Sequence, residues 1–444
     1  MDTVGDCSSL FGTTIEIKNW ENIEINGFYP SYADRVFQSC VNLTSISFNV
    51  DKKTLPVVEM DKMFSGCRNL ISVTGLENLN LPALKDISFC FSGTKLNEST
   101  LSFVETWNMP NVEDTSYMFY RCSQLSKMLN IKTPKVQNIA QMYRNCNLTE
   151  VSGNLIPNTV TNASGLFAGN KSLSKLPSDL TTIFNSNTNL TNVTDLFLNC
   201  ESLTNVDNTP LTVNENAQVE VNEAKLDNQI LRYCPNVQNV TSMFQGCKGL
   251  TKMPVAILHW NPNVTNANSL FYNCPNMQDA GDLGYSLNEY IFRNTPKLTN
   301  ISHAFAFTKI TSFANSAEGS LLGYGGFDNL TELENIEGLF YASTINSEIG
   351  NIGLPKNSTK ITTIKDVFSY CQAVYSFPFG AEIVTNMPAL QNCDGMFAQS
   401  VHLAGNATPI INALKGLSTL TSHSGAFTNC TSLSDYNSIP SDWK

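Results

Sequence analysis

Thirteen cysteines and four histidines are the residues of this 444-residue chain with the most chemistry to offer. Thiols can pair as disulfides, hold zinc, or attack a substrate beside a base. Nine of them, Cys40, Cys67, Cys122, Cys146, Cys200, Cys247, Cys274, Cys371 and Cys430, stand three residues after an aromatic, and Cys234 follows Leu231 in the same way. Elsewhere that place holds Thr94, Asn170, Thr295, Thr308, Ser343 and Ser400. A position that accepts Cys, Thr, Ser or Asn wants a small side chain able to bond a nearby backbone group, and pairing would not survive such exchange. Buried, reduced thiols are therefore expected. The Cys-x-x-Cys and Cys-His spacings of a zinc site do not occur.

His259, His303, His402 and His423 fall in unrelated phases with no fixed Ser, Cys or carboxylate partner. None of the nucleophile-elbow, Walker, zincin or Rossmann motifs is present. Glu215, Glu220, Glu223 and Asp227 cluster without the alternate-residue spacing of a calcium loop, so they read as a solvated acidic loop. Trp107 and Trp260 occupy equivalent places about a dozen residues before their aromatics, where an indole is either a packing element or a platform for a ligand. The glycine-rich stretch from Gly319 to Phe327 adds Tyr324 and Phe327 in a long insertion, a usual place for binding residues. The binding candidates are thus Trp107, Trp260, Tyr324 and Phe327. No catalytic residue, metal site or cofactor is expected.

What must position these residues is a repeat. An aromatic preceded by Met, Leu, Val or Ala recurs at Phe37, Phe64, Phe91, Phe119, Tyr143, Phe167, Phe197, Phe244, Phe271, Phe305, Phe340, Phe368, Phe397 and Phe427. Three weaker copies, Phe184, Leu231 and Phe292, each precede a strong one by 13 residues. Steps of three and four, as in Val240, Met243, Phe244 and Cys247, put these side chains on one face of a short helix or 3₁₀ turn. Segments such as Leu43 to Phe48 and Leu70 to Thr74 read as strands of a few residues. A unit this small cannot bury its own apolar face, so copies must stack. The expectation is a single α/β solenoid over 1–444, of about 14 to 17 rungs, with insertions near 201–230 and 311–335. Short parallel strands would line one face, and short helical turns or loops the other.

Composition narrows the function. Charged residues make up only 15%, hydrophobic ones 42%, and the net charge is −11. Six arginines without a basic cluster make a poor nucleic-acid binder. No stretch is apolar for the eighteen or so residues of a membrane span, so direct membrane insertion is not expected. The polar surface is instead rich in asparagine, with 53 in the chain.

The pattern V-x-x-hydrophobic-x-x-M-F-x-x-C-x-x-L resembles the BspA-like leucine-rich repeat surface proteins of bacteria, in the variant with a Trp-Asn-led repeat. Residues Trp107 to Phe119 and Trp260 to Phe271 carry the likeness most closely. The resemblance implies a leucine-rich-repeat-type fold and a secreted or surface-anchored protein that binds a host or neighbouring-cell protein or glycan without catalysis. The expected location is extracellular or the cell surface. Signal and anchor segments are not seen, and neither end offers an obvious cap, so the chain reads as a fragment of a longer protein. The alternative is a structural or phage virion component whose ends meet other chains end to end.

Overall fold

The computed structural model describes residues 14–17, 34–48, 54–206, 211–213, 219–221, 226–279, 291–311, 327, 330–346, 359–378 and 380–444. Contacts divide the chain into two units, Met1–Leu203 and Thr204–Lys444. In the first unit the repeated aromatics stack ring over ring. Phe37 lies 5.3 Å from Phe64, Phe64 5.6 Å from Phe91, and Phe91 6.0 Å from Phe119, and the row continues through Tyr143 and Phe167 to Phe197. In the second unit Phe244, Phe271, Phe305, Phe340, Phe368, Phe397 and Phe427 form another row with steps of 5.4 to 6.1 Å. All of these rings are buried, and the offset stacking suits their quadrupoles. Within each unit the copies cover one another, which is what the repeat requires.

Of the short helix or 3₁₀ turn that the spacing suggests, the segment around each aromatic keeps only the turn, since its internal bonds run three residues back. It is a run of overlapping turns. In the rung of Phe64, the N–H groups of Met63, Ser65 and Cys67 donate to the carbonyls of Met60, Lys62 and Phe64, three residues back. The alternate N–H groups, of Met60, Lys62, Phe64 and Gly66, cross to Asp86, Ser88, Cys90 and Ser92 of the next rung at 2.7 to 2.9 Å. A helix would consume every N–H internally; here every second one serves the neighbouring rung. That alternation requires left-handed backbone two residues before and two after the aromatic. Lys62 (φ 57°) and Gly66 (φ 78°) supply it in this rung, and Ser269 (φ 55°) and Asn273 (φ 57°) do so around Phe271. The residues at the three- and four-step positions, Met60, Met63, Phe64 and Cys67, still point inward and are fully buried.

An Asn or Asp five residues before the aromatic starts most runs, with Glu59, Thr363 and Ser422 in that place in three others. Its side-chain oxygen accepts the N–H two residues on, as Asp86 does from Ser88 (2.7 Å) and Asn300 from Ser302 (2.9 Å). Such local bonding is what Asn and Asp do in turns, and it accounts for part of the asparagine content. The backbones at this position pair as single parallel bridges, running from Glu59 through Asp86, Asp114, Asn138 and Asn162 to Asn192 in the first unit. In the second they run from Asn239 through Asn266, Asn300, Asn335, Thr363 and Asn392 to Ser422.

The expected strands form only in part. β1 (Thr14–Ile17), β2 (Ser45–Phe48) and β3 (Ser72–Thr74) make a parallel sheet, the last two lying in the predicted Leu-rich segments. In later rungs the same segment contributes a single bridge, such as Glu150 to Lys175 or Lys252 to Gln278. Helical structure sits in the connecting arcs: α1 (Glu98–Leu101), with a capping box at Asn97 and Thr100, runs into a 3₁₀ turn at Ser102–Thr106. In the second unit, β4 (Leu211–Val213) and β5 (Val219–Val221) form an antiparallel pair in the insertion near 201–230. α2 (Ala381–Thr385) and α3 (Thr408–Lys415) follow. Phe184 and Phe292 are not rungs of their own, because Phe167 stacks directly on Phe197, and Phe271 on Phe305. They fill the far side of a single coil.

The rung of Phe427 is covered by the residues that follow it. Trp443 stacks 6.4 Å from Phe427, and the carbonyls of Asp442 and Trp443 accept the N–H groups of Gly425 and Phe427 that a further rung would take.

The cysteine position behaves as its substitution pattern implies. The thiols of Cys67, Cys122, Cys146, Cys200, Cys274, Cys371 and Cys430 are free and buried, and each donates to the carbonyl of the preceding rung's aromatic at 2.9 to 3.2 Å. Ser400 does the same toward Phe368 (2.8 Å), whereas Thr94 and Thr308 turn back to their own rung's aromatic, and Thr295 turns back to Phe292 three residues before it. Burial pushes the thiols up, Cys122 to about 11 and Cys274, Cys371 and Cys430 to about 12.

Candidate functional site

The residues singled out by sequence do not meet in one place. Trp107 is buried against Phe91 and Phe103, and its indole N–H donates to the Leu76 carbonyl at 2.6 Å. Trp260 repeats that bond toward Leu226 (3.1 Å), but its ring stays partly open, with the Arg232 guanidinium 3.6 Å from its centroid. Phe327 is buried, and Tyr324 lies outside the described residues. Glu215 and Glu223 of the acidic cluster also lie outside them, while Asp227 pairs with Arg232 at 3.4 Å. Among the described residues no three His, Cys, Asp or Glu side chains are grouped to hold a metal.

The turns bring a different set together. Two residues after the buried aromatic, most rungs carry Gly, Asn, Ser or Ala, and the places one after and two before vary more widely. Four consecutive rungs of the second unit place aromatics there: Tyr272, Phe307, Tyr341 and Tyr370. Tyr272 meets Phe307 edge-on at 5.4 Å, Phe307 meets Tyr341 at 5.3 Å, and Tyr341 meets Tyr370 at 5.4 Å. His303 joins them 6.3 Å from Tyr272. Phe307 is 37% and Tyr370 48% exposed, among the few large apolar rings open to solvent. Both have left-handed backbone, with φ of 57° and 60°. A bulky L-residue in that region costs about 1–2 kcal/mol, and the same turn position elsewhere holds Gly66, Gly93, Gly169 and Gly246.

Charged groups border this ribbon. Glu337 accepts a hydrogen bond from Lys365 Nζ at 2.8 Å, and Asp366 lies 4.0 Å from the same ammonium. That hydrogen bond raises the Lys365 pKa. Burial, reinforced by Glu337 and Asp394, holds Asp366 above the usual carboxylate range despite the lysine. Burial lowers His303 against the pull of Glu337 and Asp366, which favours the neutral ring. Tyr341 is raised by burial and by its neighbours Tyr370 and Asp366. Two glycines make the room: a Cβ on Gly338 would lie 2.5 Å from the His303 ring, and one on Gly395 would lie 2.1 Å from the Asp366 carboxylate. The first unit carries a smaller relative of this surface, with Phe89 stacked on Tyr117 at 4.3 Å and Lys62 over Phe89.

These groups can bind. His303 stands among the Tyr272 ring, Glu337, Asp366 and Lys365. Ring faces accept cations, sugar faces or apolar side chains. The sequence signal for this surface was an aromatic in the columns just after the Met-Phe pair, visible only when rungs are aligned one against another.

A family model described as Mycoplasma protein of unknown function, DUF285, matches residues 33–156 and 191–318, together more than half of the chain. No curated protein matches. Among solved structures, a leucine-rich repeat protein from Bacteroides ovatus ATCC 8483 is similar at 14% identity, covering 92% of this chain and 83% of that one, with a TM-score of 0.35. A leucine rich cell surface protein from Faecalibacterium prausnitzii A2-165 is 15% identical over 97% of this chain and 91% of its own, with a TM-score of 0.30. A leucine-rich repeat protein from Eubacterium ventriosum ATCC 27560 is 14% identical over 94% and 88%, with a TM-score of 0.28. The repeat motif resembles that of BspA-like leucine-rich repeat surface proteins, and the family match covers both segments that carry it most closely.

Proposed function

We propose that this chain, which belongs to the family described as Mycoplasma protein of unknown function, DUF285, is a non-enzymatic interaction module that binds a protein or glycan at the cell surface or outside the cell. The observation that carries this reading is the pair Phe307 and Tyr370, aromatic side chains held open to solvent on left-handed backbone. Left-handed backbone recurs two residues after every repeated aromatic, so what sets these two apart is a bulky ring placed there and left open to solvent, which makes sense where a ring must be presented. In the same unit the Arg232 guanidinium lies 3.6 Å from the ring centroid of Trp260 and 4.9 Å from that of Tyr233, which together offer a second candidate contact. No helix among the described residues is long and apolar enough to cross a membrane.

A binding screen against glycans and host or neighbouring-cell proteins tests the proposal, using the wild-type chain and the Phe307→Asn/Tyr370→Asn double variant. Capture of a ligand by the wild type, weakened in the double variant, is the expected result. Binding that ignores these rings and Trp260 would place the interface elsewhere. Turnover of a bound glycan or peptide that survives repurification and disappears on replacing one Asp, Glu or His would overturn the reading in favour of an enzyme.

A further inference from the structure

We infer that the partner of the Tyr272–Phe307–Tyr341–Tyr370 ribbon is a polypeptide segment bearing arginine or lysine side chains. This deepens the interaction reading and rests on it. The ribbon has a charge of its own. Glu337 and Asp366 border it, with Asp394 in the rung beyond, and all three share one cation, Lys365, which Glu337 already engages at 2.8 Å. Asp394 accepts hydrogen bonds from neutral groups, the Ser422 hydroxyl at 2.7 Å and the Ser424 N–H at 2.6 Å. Three carboxylates against one ammonium leave an excess of negative charge beside four electron-rich ring faces.

A cation is the ligand group that gains from both features, since it is drawn to a ring face and to a carboxylate alike. Arg and Lys add an apolar stem that lies along rings such as Phe307 and Tyr370 while the head reaches the carboxylates. A neutral sugar gains nothing from the carboxylates, and an acidic one is repelled. The rings step 5.3 to 5.4 Å from rung to rung over four rungs. A single small cation covers one step. An extended peptide presents side chains on one face about every 6.6–6.8 Å, about 1.3 Å more than the ring step, so two neighbouring side chains can meet two neighbouring rungs and a third reaches the far end of the ribbon.

The test measures fluorescence anisotropy of three labelled probes on the full chain: an alternating serine–arginine octapeptide, the matching serine–glutamate octapeptide and a neutral gluco-oligosaccharide. The arginine probe should bind and the other two should not. Its affinity should fall about two- to five-fold for each aromatic removed in Phe307→Asn and Tyr370→Asn, the range for an exposed cation–π contact. Glu337→Gln/Asp366→Asn should weaken it similarly. That variant should also flatten the loss of affinity seen as the Debye length shrinks from about 30 Å at 0.01 M salt to about 8 Å at 0.15 M. Arginine-probe binding that is equal in wild type and both kinds of variant overturns the inference, since general attraction to an acidic chain would then account for it. Oligosaccharide binding that needs the rings but not the carboxylates overturns it too, while leaving the interaction module standing. If no probe binds at millimolar concentration the cationic reading fails, and the broader ligand screen still decides the module on its own.

Discussion

Replacing Tyr370 by Asn separates a ring kept for binding from a ring kept for packing. The position is left-handed (φ 60°), and other rungs satisfy it with Asn145, Asn199, Asn273 and Asn429. Asn tolerates this backbone, so the substitution relieves part of the roughly 1–2 kcal/mol that a bulky L-residue costs there. On the other side of the balance, the variant loses one aromatic pair with Tyr341, worth about 0.5–1.5 kcal/mol. It also loses some burial, limited because 48% of the residue is exposed. The backbone bond from the Tyr370 N–H to Ala398 O, 2.7 Å, needs no side chain and persists. The two effects nearly cancel, and the net change should lie within about 1 kcal/mol of zero. Urea denaturation followed by circular dichroism measures it, with attention to whether the slope is unchanged. A loss above about 2 kcal/mol would mean that the ring is a structural contact, and the strain argument for a binding surface would be refuted.

Phe271, fully buried between Phe244 at 5.6 Å and Phe305 at 6.1 Å, should behave in the opposite way: Phe271→Ala should cost about 3 to 5 kcal/mol, and a loss under about 1 kcal/mol would contradict the stacked register. Cys274→Ser should be tolerated because a hydroxyl can still donate to Phe244 O, whereas Cys274→Val should cost about 0.5–1.5 kcal/mol more than the Ser variant, since it removes one of the two donors to that carbonyl and leaves only the Cys247 N–H; paired chemical denaturation curves compare the two. Thiols raised from 9.0 to about 12 in the folded state hold their protons more tightly than in the unfolded chain, so their contribution is complete below pH 9 and is lost as pH rises toward 12; a melting temperature that does not fall across that window would contradict the burial. Gly395→Ala should destabilise by more than about 1 kcal/mol, since its φ is +58° and the new Cβ meets Asp366; adding Asp366→Ala should restore only the part due to the clash, which a double-mutant cycle reads directly.

Periodicity was enough to place the core, because rings can stack through a unit only if they recur in one phase, and Phe64, Phe91 and Phe119 do. It was not enough to name the local conformation. Val240, Met243, Phe244 and Cys247 have the spacing of a helical face, yet overlapping turns with alternating left-handed residues put the same positions inward. What separates the two is Gly at Gly66, Gly93, Gly165 and Gly169, on either side of the aromatic, and a helix would not place glycine so regularly. The small-residue reading of the cysteine place was legible from its exchange with Thr, Ser and Asn, though not that the thiol reaches back to the preceding rung. The tryptophans were legible as a repeated phase, and the indole bonds to Leu76 and Leu226 show why the phase repeats. The aromatic ribbon escaped because Tyr272 and Tyr341 occupy one column while Phe307 and Tyr370 occupy the next. Neither column alone forms a motif.

The crossing N–H groups run densest in a short stretch of each coil, from the residue that opens the turns to the residue two past the aromatic. Between one such stretch and the next they thin to the short sheet of β1 to β3 and to isolated bonds, such as Leu81 N–H to Asn108 O and Val151 N–H to Lys175 O. From Phe119 to Tyr143 the coil closes in 24 residues, and from Phe305 to Phe340 it takes 35, yet the rings at both steps still stack, at 5.4 and 5.9 Å. Lengthening such an arc adds only a slowly growing closure cost. The chain can therefore accept insertions, exchange its outward residues and diversify along one side over generations while the hydrogen-bonded spine stays in register.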